Sequence, residues 1–135
     1  MLVDTGPMVA LLDANDTDHQ RARQAAQAMP VQGWLTTLPC DTEAMYLLGR
    51  LEGLAGQEKL WRQIENGLVA IHQLDATCVM RMRVLITRYG DSPIDFADAS
   101  LVALAERIDD REVFTFDQHF PTYWIHDRIP FEVIP

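Results

Sequence analysis

Met1-Leu2-Val3-Asp4 and Glu112-Val113-Phe114-Thr115-Phe116-Asp117 carry the pattern that decides the fold. Each is a short apolar or β-branched run closed by a carboxylate, which is how a buried strand reads when a turn follows it. If the two runs are neighbouring parallel strands, Asp4 and Asp117 emerge together at the carboxyl edge of the sheet, where open α/β folds bind ligands. Glu43 and Asp98 join them from the first turns of expected helices. Carboxylates crowded at such an edge repel one another unless they share a hard cation, so the arrangement predicts Mg²⁺ or Mn²⁺. Phosphodiester hydrolysis is the chemistry that follows.

Working outward, Leu2-Val3 is a first strand, and Gly6-Pro7 turns the chain into a helix from Met8 to about Asp13. Thr17 with Gln20 reads as a capping box for a helix to about Ala28, ended near Pro30. Trp34 to Thr37 is the second strand; Pro39 opens a helix through Glu43 to Arg50. Gly53 to Gly56 separates that helix from one over Gln57 to Asn66. Leu68 to Ile71 is the third strand, and Asp75 caps a long amphipathic helix to about Tyr89. Ser92-Pro93-Ile94-Asp95 then announces a helix through about Ile108, with Ser92 as cap and Pro93 as its first residue. Val113 to Asp117 is the fourth strand and Phe131 to Ile134 a fifth at an edge. Strands alternating with helices of this length imply βαβ units, hence an α/β fold with a mainly parallel sheet of four to five strands and helices on both faces.

A chain of 135 residues, 48% apolar, can bury about two-thirds of its unfolded surface, and one domain over residues 1–135 is expected. No apolar run approaches the roughly 18 residues of a membrane span, and Met1-Leu2-Val3-Asp4 has no basic signal-peptide start, so a cytoplasmic protein is expected. Cys40 and Cys78 lack metal-type spacing and read as buried thiols. A net charge of −9 argues against a nucleic-acid coat protein but not against a nuclease, since part of the excess is the acidic cluster itself. Ten of the eleven basic residues are Arg, the better phosphate fork, with Arg50 and Arg88 as candidate phosphate contacts.

Each acid has a plainer role open to it. Asp4 can cap the helix at Pro7, Glu43 can face solvent, and Asp117 can be a turn residue. Asp95 shares a helix face with Asp98 and can serve the capping box and dipole. Thr115, two residues before Asp117 on one strand face, can reach the site or fill the strand.

In order and spacing, Leu2-Val3-Asp4-Thr5-Gly6-Pro7-Met8-Val9-Ala10-Leu11-Leu12, Thr42-Glu43-Ala44, Asp95-Phe96-Ala97-Asp98-Ala99-Ser100-Leu101 and Phe114-Thr115-Phe116-Asp117 resemble the conserved blocks of PIN-domain ribonucleases. The likeness spans essentially the whole chain and is greatest to the VapC-type toxins of type II toxin–antitoxin modules. It implies a three-layer α/β/α sandwich and metal-dependent RNA cleavage leaving a 5′-phosphate and a 3′-hydroxyl. It also implies that Asp4, Glu43, Asp98 and Asp117 form the acidic quartet. Asp4 and Asp98 would hold the principal Mg²⁺ (or Mn²⁺) and Glu43 would bind it directly or through water; Asp117 would help hold a second ion or orient water. Thr5 and Thr115 match the hydroxyl residues beside the first and last acids, and His119 replaces a frequent further acid. The implied partners are RNA, an antitoxin and a second copy of the chain, with Trp34, Met45, Tyr46, Leu47, Leu51, Leu54 and Trp61 as an apolar concentration from which such a surface could be drawn. A housekeeping RNA-processing nuclease and a weakly active RNA- or protein-binding module are the alternatives.

Overall fold

The computed structural model describes residues 1–29, 33–92 and 94–134. Five parallel strands form one sheet: β1 (Leu2–Val3), β2 (Trp34–Thr37), β3 (Val69–His72), β4 (Glu112–Phe114) and, after the hairpin described below, β7 (Glu132–Ile134), in the order β3-β2-β1-β4-β7. β1 is central: Leu2 is in register with Leu35 on one side and Val113 on the other. Among the described residues six α-helices lie between the strands: α1 (Thr5–Leu12), α2 (His19–Ala28), α3 (Leu38–Glu52), α4 (Leu54–Glu65), α5 (Ala76–Arg88) and α6 (Phe96–Ile108). Connections up to β3 step toward one edge and the next steps back across the sheet, so right-handed crossovers cover both faces and make the α/β/α sandwich. Leu2, Val3, Leu101, Leu104 and Phe114 are fully buried. Trp34 and Phe114, on strands flanking β1, meet edge to face at 5.7 Å.

Several boundaries differ from the sequence expectations, each because a side chain satisfies backbone groups elsewhere. α1 starts at Thr5 because Asp4 is its N-cap. Asp13 and Asp16 accept from the backbone N–H groups of Asn15 and Asp18, so α2 begins at His19 rather than behind a Thr17 cap; Pro30 lies outside the described residues. α6 begins at Phe96, because Asp95 and Asp98 form a reciprocal capping box that displaces the Ser92 start; Pro93, too, lies outside the described residues. β4 stops at Phe114, since the Thr115 hydroxyl accepts from the Asp117 N–H at 3.0 Å and turns the chain.

A hairpin of β5 (Trp124–Ile125) and β6 (Ile129–Pro130) was not anticipated. Its turn holds His126 and Asp127 at φ 50° and 59°. Arg81 binds both the Asp127 and Glu106 carboxylates, and Glu106 also accepts from the His126 N–H at 2.8 Å. These contacts fix the strained turn against α5 and α6.

Gly53 alone, at φ 62°, separates α3 from α4. Gly56, expected in the linker, lies inside α4, and a Cβ there would stand 2.6 Å from the Leu48 carbonyl oxygen of α3. Helix propensity alone makes Gly56→Ala stabilising by about 1 kcal/mol. The clash is with backbone, which cannot swing aside, and overpacking of this kind costs about 1–3 kcal/mol. Gly56→Ala is therefore expected to lower the urea midpoint at unchanged m-value; a raised midpoint would show that the helices part at no cost.

Candidate active site

The carboxyl edge of β1 and β4 brings the predicted acids into one neighbourhood. Asp4 is 7% exposed, and both its oxygens are fixed: Oδ1 accepts from the Thr5 N–H and Oδ2 from the Thr115 hydroxyl, each at 2.7 Å. Thr5, buried at the start of α1, donates its hydroxyl to Glu43 Oε2 at 2.8 Å, with the Cys40 carbonyl at 3.3 Å. One hydroxyl has one proton, and the shorter, charge-assisted bond holds it. Thr115 thus joins Asp4 to the Asp117 backbone, and Thr5 joins the backbone beside Asp4 to the Glu43 side chain.

Asp98, also 7% exposed, is carried in by the capping box: its N–H donates to Asp95 Oδ1 at 2.8 Å and its Oδ2 accepts from the Asp95 N–H at 3.3 Å. Asp95 is exposed, and its plainer expected role, the cap, is the one its bonds show. His119, which stands where a further acid is frequent, contacts Asp117. Its backbone N–H and ring Nδ1 both lie 2.9 Å from Asp117 Oδ1. A carboxylate only accepts, so Nδ1 carries the proton. An Asp-x-His spacing is the signal that could have found this Asx-type contact.

Burial dominates the electrostatics. Desolvation pushes Asp98 up to about 7, with the charges of Asp95, Asp4 and Asp117 adding to it. Asp4 is pushed up to about 6 for the same first reason, its hydrogen bonds from Thr115 and Thr5 opposing and Asp117 and Asp95 adding. No Arg or Lys ion pair among the described residues involves Asp4, Glu43, Asp98 or Asp117. Buried oxygen ligands with uncompensated charge are the donor set a hard divalent cation takes. Among the described residues no three carboxylate, imidazole or thiol groups stand as a finished cage, so such an ion would keep several waters, as Mg²⁺ does.

Behind the acids lies a polar seam that sequence reasoning missed. Ser100 donates to the Ala97 carbonyl at 2.6 Å, which leaves Thr37, the N-cap of α3, to donate to Ser100 Oγ at 2.5 Å. Cys40 donates its thiol to the same carbonyl at 3.6 Å, and burial with the Asp4 charge pushes that thiol up to about 12, which makes it inert. The seam ties the first turns of α3 and α6 together, and with them Glu43 and Asp98. Asp41, on the same turn of α3, is buried with Oδ1 lacking a partner among the described residues.

Of the apolar residues singled out as a partner surface, Tyr46, Leu47, Leu51, Leu54 and Trp61 are exposed on α3 and α4, while Trp34 and Met45 pack against the core. Comparison with known proteins agrees with this architecture. The chain is 27% identical over 125 residues to Ribonuclease VapC26 of Mycobacterium tuberculosis, covering 89% of each. Its fold matches the crystal structure of Mycobacterium tuberculosis VapC20, described as a sarcin-ricin loop cleaving toxin, with a TM-score of 0.79 at 21% identity over 86% of this chain and 88% of that one. A family model described as PIN domain matches residues 1–123, so the chain belongs to the PIN domain family.

Proposed function

We propose that the chain is a single-domain, divalent-metal-dependent endoribonuclease and the toxin of a toxin–antitoxin pair, acting on RNA in the cytoplasm. The observation that carries this reading is the pair of buried carboxylates, Asp4 and Asp98, at the carboxyl edge of a PIN fold beside Glu43 and Asp117. The names of the two relatives support ribonuclease and toxin. Among the described residues no helix is long and apolar enough to cross a membrane. A second copy and an antitoxin are proposed as partners of the exposed face of α3 and α4.

Asp4 and Asp98 would hold Mg²⁺ or Mn²⁺, with Glu43 directly or through water. When bound, the ion lowers the pKa of its water and stabilises charge on the leaving oxygen. Thr115 holds Asp4 against rotation, and Thr5 does the same for Glu43. His119 occupies Asp117 Oδ1, which leaves Oδ2 to orient a water or help hold a second ion.

Asp98→Asn keeps the shape and removes the charge, so it is expected to abolish cleavage while the fold persists by circular dichroism; full activity in a carefully purified variant would falsify the site assignment. Mn²⁺ is expected to replace Mg²⁺, whereas Ca²⁺, with looser coordination, supports little turnover. Equal rates in Ca²⁺ and Mn²⁺ would sink the metal mechanism.

Stability offers an independent check. The Asp4 and Asp98 carboxyls rise from 3.8 to about 6 and 7 on folding, so the folded state prefers them protonated. Their penalty is absent below pH 4, grows between about pH 4 and 7, and is complete above it. In EDTA the wild type should therefore melt lower at pH 7.5 than at pH 5, and Asp98→Asn should lose less over that interval. Mg²⁺ well above its Kd is expected to stabilise the wild type by roughly 1–3 kcal/mol and the variant by much less. Identical pH profiles with identical Mg²⁺ gains would make Asp98 merely a cap residue.

A further inference from the structure

A polyanion approaching a chain of net charge −9 must meet an edge holding Asp4, Glu43, Asp98 and Asp117, and it needs a cation on that approach. The two arginines favoured from sequence are engaged elsewhere: Arg88 pairs with Asp127 of the hairpin, and the Arg50 guanidinium lies 5.9 Å from the Tyr46 ring on α3. Arg21 is placed differently. Its guanidinium carbon is 4.6 Å from the centroid of the Phe116 ring. Phe116 stands between Thr115 and Asp117, its ring is braced edge to face on Phe114 at 5.6 Å, and its Cδ2 lies 3.8 Å from where a Gly6 Cβ would be. Gly6 follows Thr5 directly. The stack therefore sets a positive charge from α2 over the two chain segments that supply Asp4 and Asp117.

We propose that Arg21, stacked on Phe116, is the phosphate clamp of this edge, donating to a non-bridging phosphate oxygen of the RNA backbone beside the bond to be cut. This rests on the ribonuclease reading above. A guanidinium is suited to the task because its face can rest on an aromatic ring while its edge donates two parallel N–H groups, which an ammonium cannot do. The edge is accessible: the side chain is 50% exposed, and its pair with Asp18 is long, 3.5 Å, between two exposed groups. Such pairs contribute about 0–1 kcal/mol, so a phosphate displaces the carboxylate readily. The Phe116 ring lies against the chain at Gly6, two residues after Asp4, and so carries the guanidinium beside that segment.

The test is cleavage of a short unstructured fluorophore–quencher RNA by wild type, Arg21→Gln and Arg21→Lys in Mn²⁺, with KM and kcat measured across a KCl series. Binding of the same RNA is followed by anisotropy in Ca²⁺. Arg21→Gln is expected to raise KM and Kd about tenfold, the loss of one charge-assisted contact, with kcat little changed. The slope of log affinity against log salt should fall by about 0.7, one single-strand phosphate contact. Arg21→Lys should recover the slope and only part of the affinity. Unchanged KM, Kd and salt slope in Arg21→Gln, alongside an active wild type, overturn the clamp alone, as does a fall in kcat without a change in KM. A wild type that neither binds nor cleaves RNA overturns the ribonuclease reading and the clamp together.

Discussion

The fold and the candidate site depend on one carboxylate. Asp4 accepts from the first amide of α1 and from the hydroxyl of Thr115, so it closes the turn out of the central strand and fastens it to the exit of β4. Burial makes this an unfavourable place for a charge, and two hydrogen bonds only partly offset it. The same group is thus a structural cap and an anion that no Arg or Lys ion pair among the described residues neutralises. The two roles proposed for it from sequence were alternatives only on paper: the cap geometry is what aims the carboxylate into the edge.

Strand and helix types, their order and the parallel sheet were legible because apolar periodicity and β-branched runs report burial directly. That the acids meet at one edge was legible because Asp4 precedes α1, Asp98 lies in the first turn of α6 and Asp117 follows β4. Boundaries themselves were read less well. Gly56 looks like a linker residue in sequence, yet it serves close helix approach, which depends on the Leu48 carbonyl 2.6 Å from its missing Cβ. Thr17 and Ser92 looked like caps, but Asp95 and the turns at Asp13 and Asp16 satisfied the amides first. Competing caps a few residues apart differ by too little for residue type alone to choose between them.

What stayed invisible was the long-range polar wiring. Nothing in the spacing of Thr37 and Ser100 says that they meet, since 63 residues separate them. The stack of Arg21 on Phe116 is equally non-local. Such contacts arise only after the sheet has brought distant turns to one edge, so they follow from topology rather than from local pattern.

Topology also dictates when that edge comes into being. The Asp4–Thr115 bond spans 111 residues, and the central strand β1 precedes its partner β4 in the chain by nearly the same separation. Closing so long a loop is entropically slow, and no shorter segment supplies a substitute neighbour for that side of β1. A nascent or truncated chain ending before β4 therefore carries Asp4, Glu43 and Asp98 without the strand that fixes them. The acidic edge is complete only once β4 has joined the sheet, so a chain that stops short of β4 lacks it.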